Sequence, residues 1–386
     1  AYTLQEYDGE SVYLVRNEAY LGNQDGTMPQ IPAIRYRAVT PEEELQLLAE
    51  GELDLVVRCA RVDQTNAGRQ LAASGDFSMS AYSRSGLGFI SFCGEKGPTA
   101  DIAVREALAR CMDKTALTQQ YMGAFGTPVN GFYGIGQWMF QMANGTLVPE
   151  EGEEEEWADL TLEGIPEITP DPVYAAQLLE SAGWNLDEEG NSYSGGIRCK
   201  LVDGELVPLR LKMIYPIGNG VAPLLDDTFI NNLTEAGIAL ETEPVAMKEL
   251  LDIYYGLAER SCDMILLGTN LGEVFEPSAE FDANGTHRLT GITDPELATL
   301  ALELRSTEPG NATEYCRRWL AYQSHLSSLY MYIPLYSGAY LDFYVTTLQN
   351  YEPASTGSWA LAVTGAYLSD YEEEPEELEE GAEFFE

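Results

Sequence analysis

The chain has 386 residues, 45% of them hydrophobic, enough for a buried core divided between two lobes. Its 21 basic and 63 acidic residues give a formal charge of −42. That charge excludes the basic surface that phosphate contacts need, and with it nucleic-acid binding. No apolar run approaches the roughly 20 residues of a membrane helix. The acids are partly clustered: residues 149–157 hold six Glu, and the tail from Tyr371 holds nine more. Such runs repel themselves and stay solvated. The first is expected as a surface insertion and 370–386 as an acidic disordered tail.

Residues 1–60 read as strands, with Val12, Leu14 and Tyr36 in short half-buried runs broken by Asn17, Gly22 and Pro32. Pro41 opens a helix that buries Leu45 and Leu48, Gly51 stops it, and 53–57 is a buried strand. Residues 85–93 are glycine-rich and then strand-like. Asp101 can cap a helix with Val104, Leu108, Cys111 and Met112 on one face. Asp113 can cap a second, short helix that Gly123 ends, before a loop with Gly126, Pro128 and Gly131. Between 209 and 269 the period switches repeatedly. Leu209, Leu211 and Met213 alternate as a strand, and Leu225, Phe229 and Leu233 recur as a helix that Gly237 ends. Ile238 to Val245 is a strand, Met247 to Tyr254 a helix, and 263–268 a strand. This β-α-β-α-β order implies right-handed crossovers and a largely parallel sheet. Asp294-Pro295 supplies a cap and first-turn proline for a helix burying Leu297, Leu300 and Leu304. A long helix from about Thr313 to Tyr330 carries a core stripe of Tyr315, Trp319, Tyr322, Leu326 and Leu329. Residues 331–336 return as a strand.

Enzymatic signals are poor. The two histidines fall in different settings: His287 in the polar loop NGTHR, expected exposed, and His325 in the long helix, expected structural. There is no GxSxG, HExxH or P-loop. The run GFYGIGQW at 131–138 has glycines spaced G-x-x-G-x-G with no helix signal behind it, so it is not a dinucleotide fingerprint. Among 63 acids, any pair of carboxylates is uninformative about glycoside hydrolysis. Six cysteines include no CxxC, so zinc-ribbon and thioredoxin chemistry lack support. Cys111 and Cys316 sit in helical patterns as core residues; a disulfide among the others is allowed, and spacing does not pair them. Open α/β sheets take ligands beyond the carboxyl ends of their strands. Here those ends are the loops 215–220 and 268–273, both with glycine and a few polar side chains.

Several segments resemble one family in order. The run PTADIAVREALARCMDKTALTQQYMGAFGTPVNG at 98–131 matches its helix-turn-helix at Val104, Arg105, Ala107, Leu108, Met112, Asp113, Lys114, Leu117, Gly126, Pro128 and Gly131. YLVRNEAYLG at 13–22, LLAEGELDLV at 47–56 and DPVYAAQLLESAGW at 171–184 match further segments. LRLKMIYPIGN, EAGIALETEPV, CDMILLG and YIPLY follow in the same order. The chain is identified by this resemblance, which spans nearly all of 1–367, as similar to the family 5 extracellular solute-binding proteins. These are the oligopeptide, dipeptide and nickel receptors of ABC importers.

The resemblance implies an α/β fold of the type II periplasmic-binding-protein kind, with two lobes and a hinge. It assigns 1–88 and 339–369 to one lobe and 89–338 to the other, with crossings at Gly86-Leu87-Gly88 and Ser337-Gly338. The chain begins at Ala1-Tyr2-Thr3-Leu4, which reads as mid-strand, whereas the family carries a further segment before it. The expectation is therefore an N-terminally truncated chain, with exposed apolar surface or an open strand edge near Tyr2 to Leu14. In peptide-binding relatives a Gly-Trp pair ends the third strand, and an acidic residue soon after takes the ligand's amino group. Gly268 matches that glycine and Thr269 replaces the tryptophan; the acidic position falls on Gly272, or on Glu273 with a one-residue slip. The expected ligand-binding residues are Phe89, Tyr215, Asn219, Thr269, Asn270 and Glu273, with no catalytic residue, metal or cofactor. The expected function is extracytoplasmic capture of a peptide or similar small solute between the lobes, for delivery to the permease subunits of an ABC importer. The protein is expected in the periplasm or as a cell-surface lipoprotein, monomeric, meeting the membrane only through a lost lipid anchor or the permease. Alternatives are a secreted α/β hydrolase acting on a peptide or glycan, and a ligand-sensing or adhesion module without transport.

Overall fold

The computed structural model describes residues 1–23, 25–152, 154–354 and 359–371. The acidic tail expected at 370–386 lies outside the described residues from 372 onward. Two compact units form. One comprises 1–59, 64–81 and the residues from 341 on; the other comprises 60–63 and 82–340. The chain therefore changes unit at 59/60, 63/64, 81/82 and 340/341, whereas the sequence pointed to crossings at Gly86-Leu87-Gly88 and Ser337-Gly338. Gly86 and Gly88 lie inside a strand, and Ser337-Gly338 inside the continuous strand Tyr332–Val345. Gly86, Gly88 and Gly338 are closely packed, a Cβ on each meeting a neighbour within 2.4 Å.

The second unit is built on a sheet whose strand order is Ala239–Val245, Arg210–Pro216, Met264–Asn270, Gly86–Phe92 and Tyr332–Val345. The first three are parallel, as the β-α-β-α-β reading requires, with Met213 beside Met264 and Thr242. The sheet is mixed rather than largely parallel, because Gly86–Phe92 runs antiparallel to both Met264–Asn270 and Tyr332–Val345. Side chains alternate across a strand, so one sequence serves two apolar layers. Phe89, Ile265 and Leu267 join a cluster with Trp319, Tyr322, Leu250 and Leu297. Ile90, Met264 and Leu266 join a cluster with Val104, Leu108, Phe229 and Leu179. Helices thus cover both faces: Met247–Tyr254, Pro295–Arg305 and Ala312–Ser328 on one, Ile102–Cys111, Lys114–Met122 and Pro172–Ser181 on the other.

The helix starts follow the capping residues. Asp101, Asp113, Asp171, Asp294 and Asn311 each accept a backbone N–H of the first turn, at 2.7–3.1 Å. The two cations of the 98–131 segment are buried and structural. Arg105 donates to the carbonyls of Thr99, Ala100, Leu329 and Tyr330. Lys114 donates to Val129 O at 3.1 Å and to Asn130 Oδ1. Burial pushes Arg105 down to about 10 and Lys114 down to about 8.

The first unit pairs Tyr2–Tyr7, Ser11–Arg16 and Ala33–Arg37 in an antiparallel sheet. Leu55–Cys59 pairs with the end of Tyr332–Val345, from Leu341 on. The Asp342 carboxylate is wholly buried, accepting from Arg58 N and Tyr351 Oη at 2.7 Å each. The unit's own apolar cluster is small: Ile31, Leu348, Tyr351, Val363 and Ala366. Leu4 and Tyr7 stand exposed, at 64% and 65% of their surface. The acidic run after Pro149 is exposed at every described Glu. No helix among the described residues is long and apolar enough to cross a membrane.

Candidate functional site

In the second unit, Arg210–Pro216 and Met264–Asn270 end on the same sheet edge. The antiparallel neighbours bring Gly86 and Tyr336 there too, since Asn270 lies opposite Gly86 and Tyr336 opposite Gly88. Gly88 is required at that register: a Cβ would lie 2.4 Å from the Tyr336 ring, which occupies the space above it. Tyr336 packs against Tyr121 with ring centroids 5.1 Å apart. Burial raises the Tyr336 and Tyr121 phenols above their ordinary range, so both remain neutral O–H groups at neutral pH.

Arg84 completes the cluster. Its main chain is fixed on both sides, with N donating to Gly338 O at 2.7 Å and O accepting from Gly136 N at 2.8 Å. The guanidinium lies 5.5 Å from the centre of the Tyr340 ring, and one terminal nitrogen donates to Thr269 O at 3.3 Å. Arg84 Nε is buried without a hydrogen-bond partner. Among the described residues no carboxylate pairs with Arg84. In a chain with three acids to each base, that is unusual. Arg61, which also lies near Tyr121, is instead held by Asp63 at 2.8 Å. A half-buried arginine beside neutral phenols and aromatic faces suits a carboxylate carried on an apolar or aromatic body.

The residues expected from the sequence fall differently around this cluster. Thr269 touches it through its carbonyl. Asn219 spends its side-chain oxygen on Val221 N and Ala222 N, at 2.8 and 3.0 Å. Its neighbour Gly220 faces Tyr121, where a Cβ would sit 3.1 Å from the ring. Asn270 is exposed at the strand end, and Tyr215 is half-buried against the apolar cluster that holds Leu211 and Met213. Glu273 is exposed; its carbonyl accepts from Trp138 Nε1 at 2.9 Å. Phe89 requires a correction. It is 0% exposed, edge-on to Phe132 at 5.0 Å and Tyr332 at 5.5 Å. It sits mid-strand opposite Leu267, where alternation turns it into the core.

Sequence reasoning missed Arg84, Tyr121, Tyr336 and Tyr340, which come from three separated segments, the last two sharing the strand Tyr332–Val345. It also missed the role of GFYGIGQW. Gly134 and Gly136 lie flat against the backbone of residues 83–86, and Gln137 Nε2 donates to Gly272 O at 3.3 Å. With Trp138, this loop fastens the segment after Asn270 to the sheet edge. His287 is also corrected: it is 1% exposed, bonded to Glu280 at 2.9 Å and Thr290 at 3.2 Å. Aromatic packing against Phe281 and Tyr332 draws this polar loop inward. His325 bonds the Asp294 cap at 3.0 Å, joining two helices. The first unit has a separate concavity of about 300 Å³, lined by Ile34, Leu55, Trp359 and Val363 among others; none of the expected residues lines it.

No curated protein matches the chain. Among solved structures, the oligopeptide-binding protein AppA of Bacillus subtilis, in complex with a nonapeptide, is similar at 16% identity and a TM-score of 0.71. The match covers 95% of this chain and 66% of AppA. Lactococcal OppA, complexed with an endogenous peptide in the closed conformation, is similar at 15% identity and a TM-score of 0.74, over 95% of this chain and 64% of OppA. NikZ of Campylobacter jejuni, in complex with Ni(L-His), is similar at 15% identity and a TM-score of 0.69, over 95% and 67%. The chain thus spans about two thirds of the length of these proteins. At such identities the likeness speaks for the fold, which is the expected α/β fold of type II periplasmic-binding proteins. The model of the bacterial extracellular solute-binding proteins, family 5 (middle), matches residues 1–287. By that match over most of its length, the chain belongs to the family 5 bacterial extracellular solute-binding proteins.

Proposed function

We propose that this chain is a solute receptor of an ABC importer, working outside the cytoplasm. It holds a small solute that carries a carboxylate, most simply a short peptide, and delivers it to a membrane permease. Arg84 carries the reading: a half-buried guanidinium without a carboxylate partner among the described residues, at the sheet edge where open α/β folds take ligands, flanked by Tyr121, Tyr336 and Tyr340. Family membership supports the transport role. Thr269 contributes a backbone contact, and Asn219, Asn270, Tyr215 and Glu273 border the edge. Glu273 is the side chain free to meet a ligand's ammonium group.

The reading is of binding without chemistry. Of the two histidines of the chain, His287 is buried at 1% exposure with both ring nitrogens bonded and His325 Nε2 is spent on the Asp294 cap, so neither joins the Arg84 cluster as the general base a hydrolase would need. The experiment is a titration with pooled short peptides followed by tryptophan fluorescence, since Trp138 is bonded to Glu273 O beside the edge. A saturable change that is lost in Trp138→Phe, with the peptides recovered intact by mass spectrometry, is expected. Cleaved peptides would establish the hydrolase instead.

A further inference from the structure

We propose that Cys93 and Cys262 form a reversible disulfide tying the end of the Gly86–Phe92 strand to the start of the Met264–Asn270 strand. Their sulfurs lie 3.9 Å apart, and both residues are buried, at 3% and 8% exposure. The approach follows from the register. Phe92 lies opposite Met264, and the pairing runs one step further, with Cys93 N donating to Asp263 O at 2.8 Å. The Asp263 carboxylate is itself pinned, accepting from Lys212 N at 2.8 Å. The chain bends at Asp263, so Cys262, one step off the pairing, turns across to meet Cys93. A disulfide needs a sulfur separation of about 2.05 Å, so the pair must close by about 2 Å, a displacement within reach of side-chain rotation.

The other four thiols have no such neighbour. Cys59 meets Glu44, and Cys111, Cys199 and Cys316 meet the carbonyls of Asn232, Ile197 and Met139. The surroundings of the pair also favour exchange. The hydrogen bond from Cys93 holds the Cys262 thiol below its ordinary range, and the Arg260 guanidinium acts in the same direction. Arg260 is fixed there by Glu95 at 3.0 Å and by the carbonyls of Arg288 and Leu289. A concavity of about 360 Å³, lined by Glu95, Lys96, Glu259 and Arg260 beside the two cysteines, admits a small reagent.

The oxidant is a disulfide, small or protein-borne. The Cys262 thiolate attacks one of its sulfurs, forming a mixed disulfide and releasing one thiolate. Cys93 then gives up its proton and attacks the Cys262 sulfur, releasing the second thiolate. The protein loses two electrons and two protons, and the oxidant becomes two thiols. An extracytoplasmic setting, part of the reading above, supplies oxidising conditions; the exchange itself rests only on the two thiols. The bond would lie at the amino end of the Met264–Asn270 strand, away from Thr269 and Asn270, and would stabilise the sheet without altering the candidate site.

The test treats the purified chain with glutathione disulfide in mildly alkaline buffer, unfolds it in an alkylating reagent, and maps the thiols by mass spectrometry. Expected are four alkylated cysteines of the six, a mass lower by about 2 Da before alkylation, and a reducible peptide joining 93 to 262. Cys262→Ser under the same treatment should keep all five remaining thiols. Six alkylated cysteines in the wild-type chain, a linkage between other positions, or a disulfide in Cys262→Ser would overturn the proposal. A failure of solute binding would leave this thiol count unchanged and would bear only on the receptor reading.

Discussion

Lys114 shows how far this fold goes to hold a loop. Its ammonium is buried at 8% exposure so that it can bond Val129 O and Asn130 ahead of the Gly131 turn, and burial pushes it down to about 8. The unfolded chain keeps an ordinary lysine near 10.4. Between these values the unfolded state binds more protons than the folded one, so this residue's contribution to stability rises with pH. It is fully present above the unfolded value and is lost as pH falls through about 8. The stability of wild type relative to Lys114→Met should therefore increase by about 2–3 kcal/mol from pH 7 to pH 10.5. Urea unfolding of both proteins across that range checks it, and a flat difference would contradict it. Comparison with the variant is needed because burial raises Cys59, Cys111 and Cys316, which shifts the whole protein the other way as pH climbs. Lys114 and Arg105 stood out in the sequence only because they matched a family pattern. That they are buried donors to backbone carbonyls could not be read from spacing.

At the scale of elements, the helices and the β-α-β-α-β unit were legible because their signals are local. Asp101, Asp113 and Asp294 mark starts, Gly237 at φ +86° marks an end, and alternation marks the strands. The antiparallel insertion of Gly86–Phe92 was not legible, since its partners lie some 180 and 245 residues away by the register. Nor was the loop 131–138, whose glycines look like ordinary turn residues. Gly134 is constrained by backbone: an added Cβ would lie 2.3 Å from Ser85 C and 2.5 Å from Gly86 N. Gly134→Ala should cost about 1–3 kcal/mol, as overpacking against an unyielding neighbour does. It should also weaken solute binding, because residues 84–86 carry the arginine. Gly164→Ala, where the nearest atom is 3.6 Å away, should stay within about 0.5 kcal/mol of wild type. Chemical unfolding of the pair, with equal losses, would refute the role given to this loop.

For the whole molecule, two units with separate cores and a charge of −42 set the problem that the candidate site answers. The sequence pointed to this sheet edge, because the β-α-β-α-β order and the loop composition are visible in it. It did not locate the cluster itself. Arg84, Tyr121 and the strand that carries Tyr336 and Tyr340 lie in three separate segments, and only the folded sheet shows that, among the described residues, Arg84 has no carboxylate partner while Arg61 has one. Phe89 shows the converse, a residue chosen for its place after a glycine pair and then claimed by the core. The central claim is that Arg84 takes the solute's carboxylate. Its most direct test is calorimetric titration of short free-acid peptides, and of their amides without acidic side chains, into the wild-type chain and Arg84→Gln. The account predicts binding of the free acids by wild type, and a 10- to 100-fold loss (about 1.4–2.8 kcal/mol) both for the amides and in the variant, with the thermal midpoint unchanged. Absence of binding by wild type, or equal affinity for all four combinations, would contradict it.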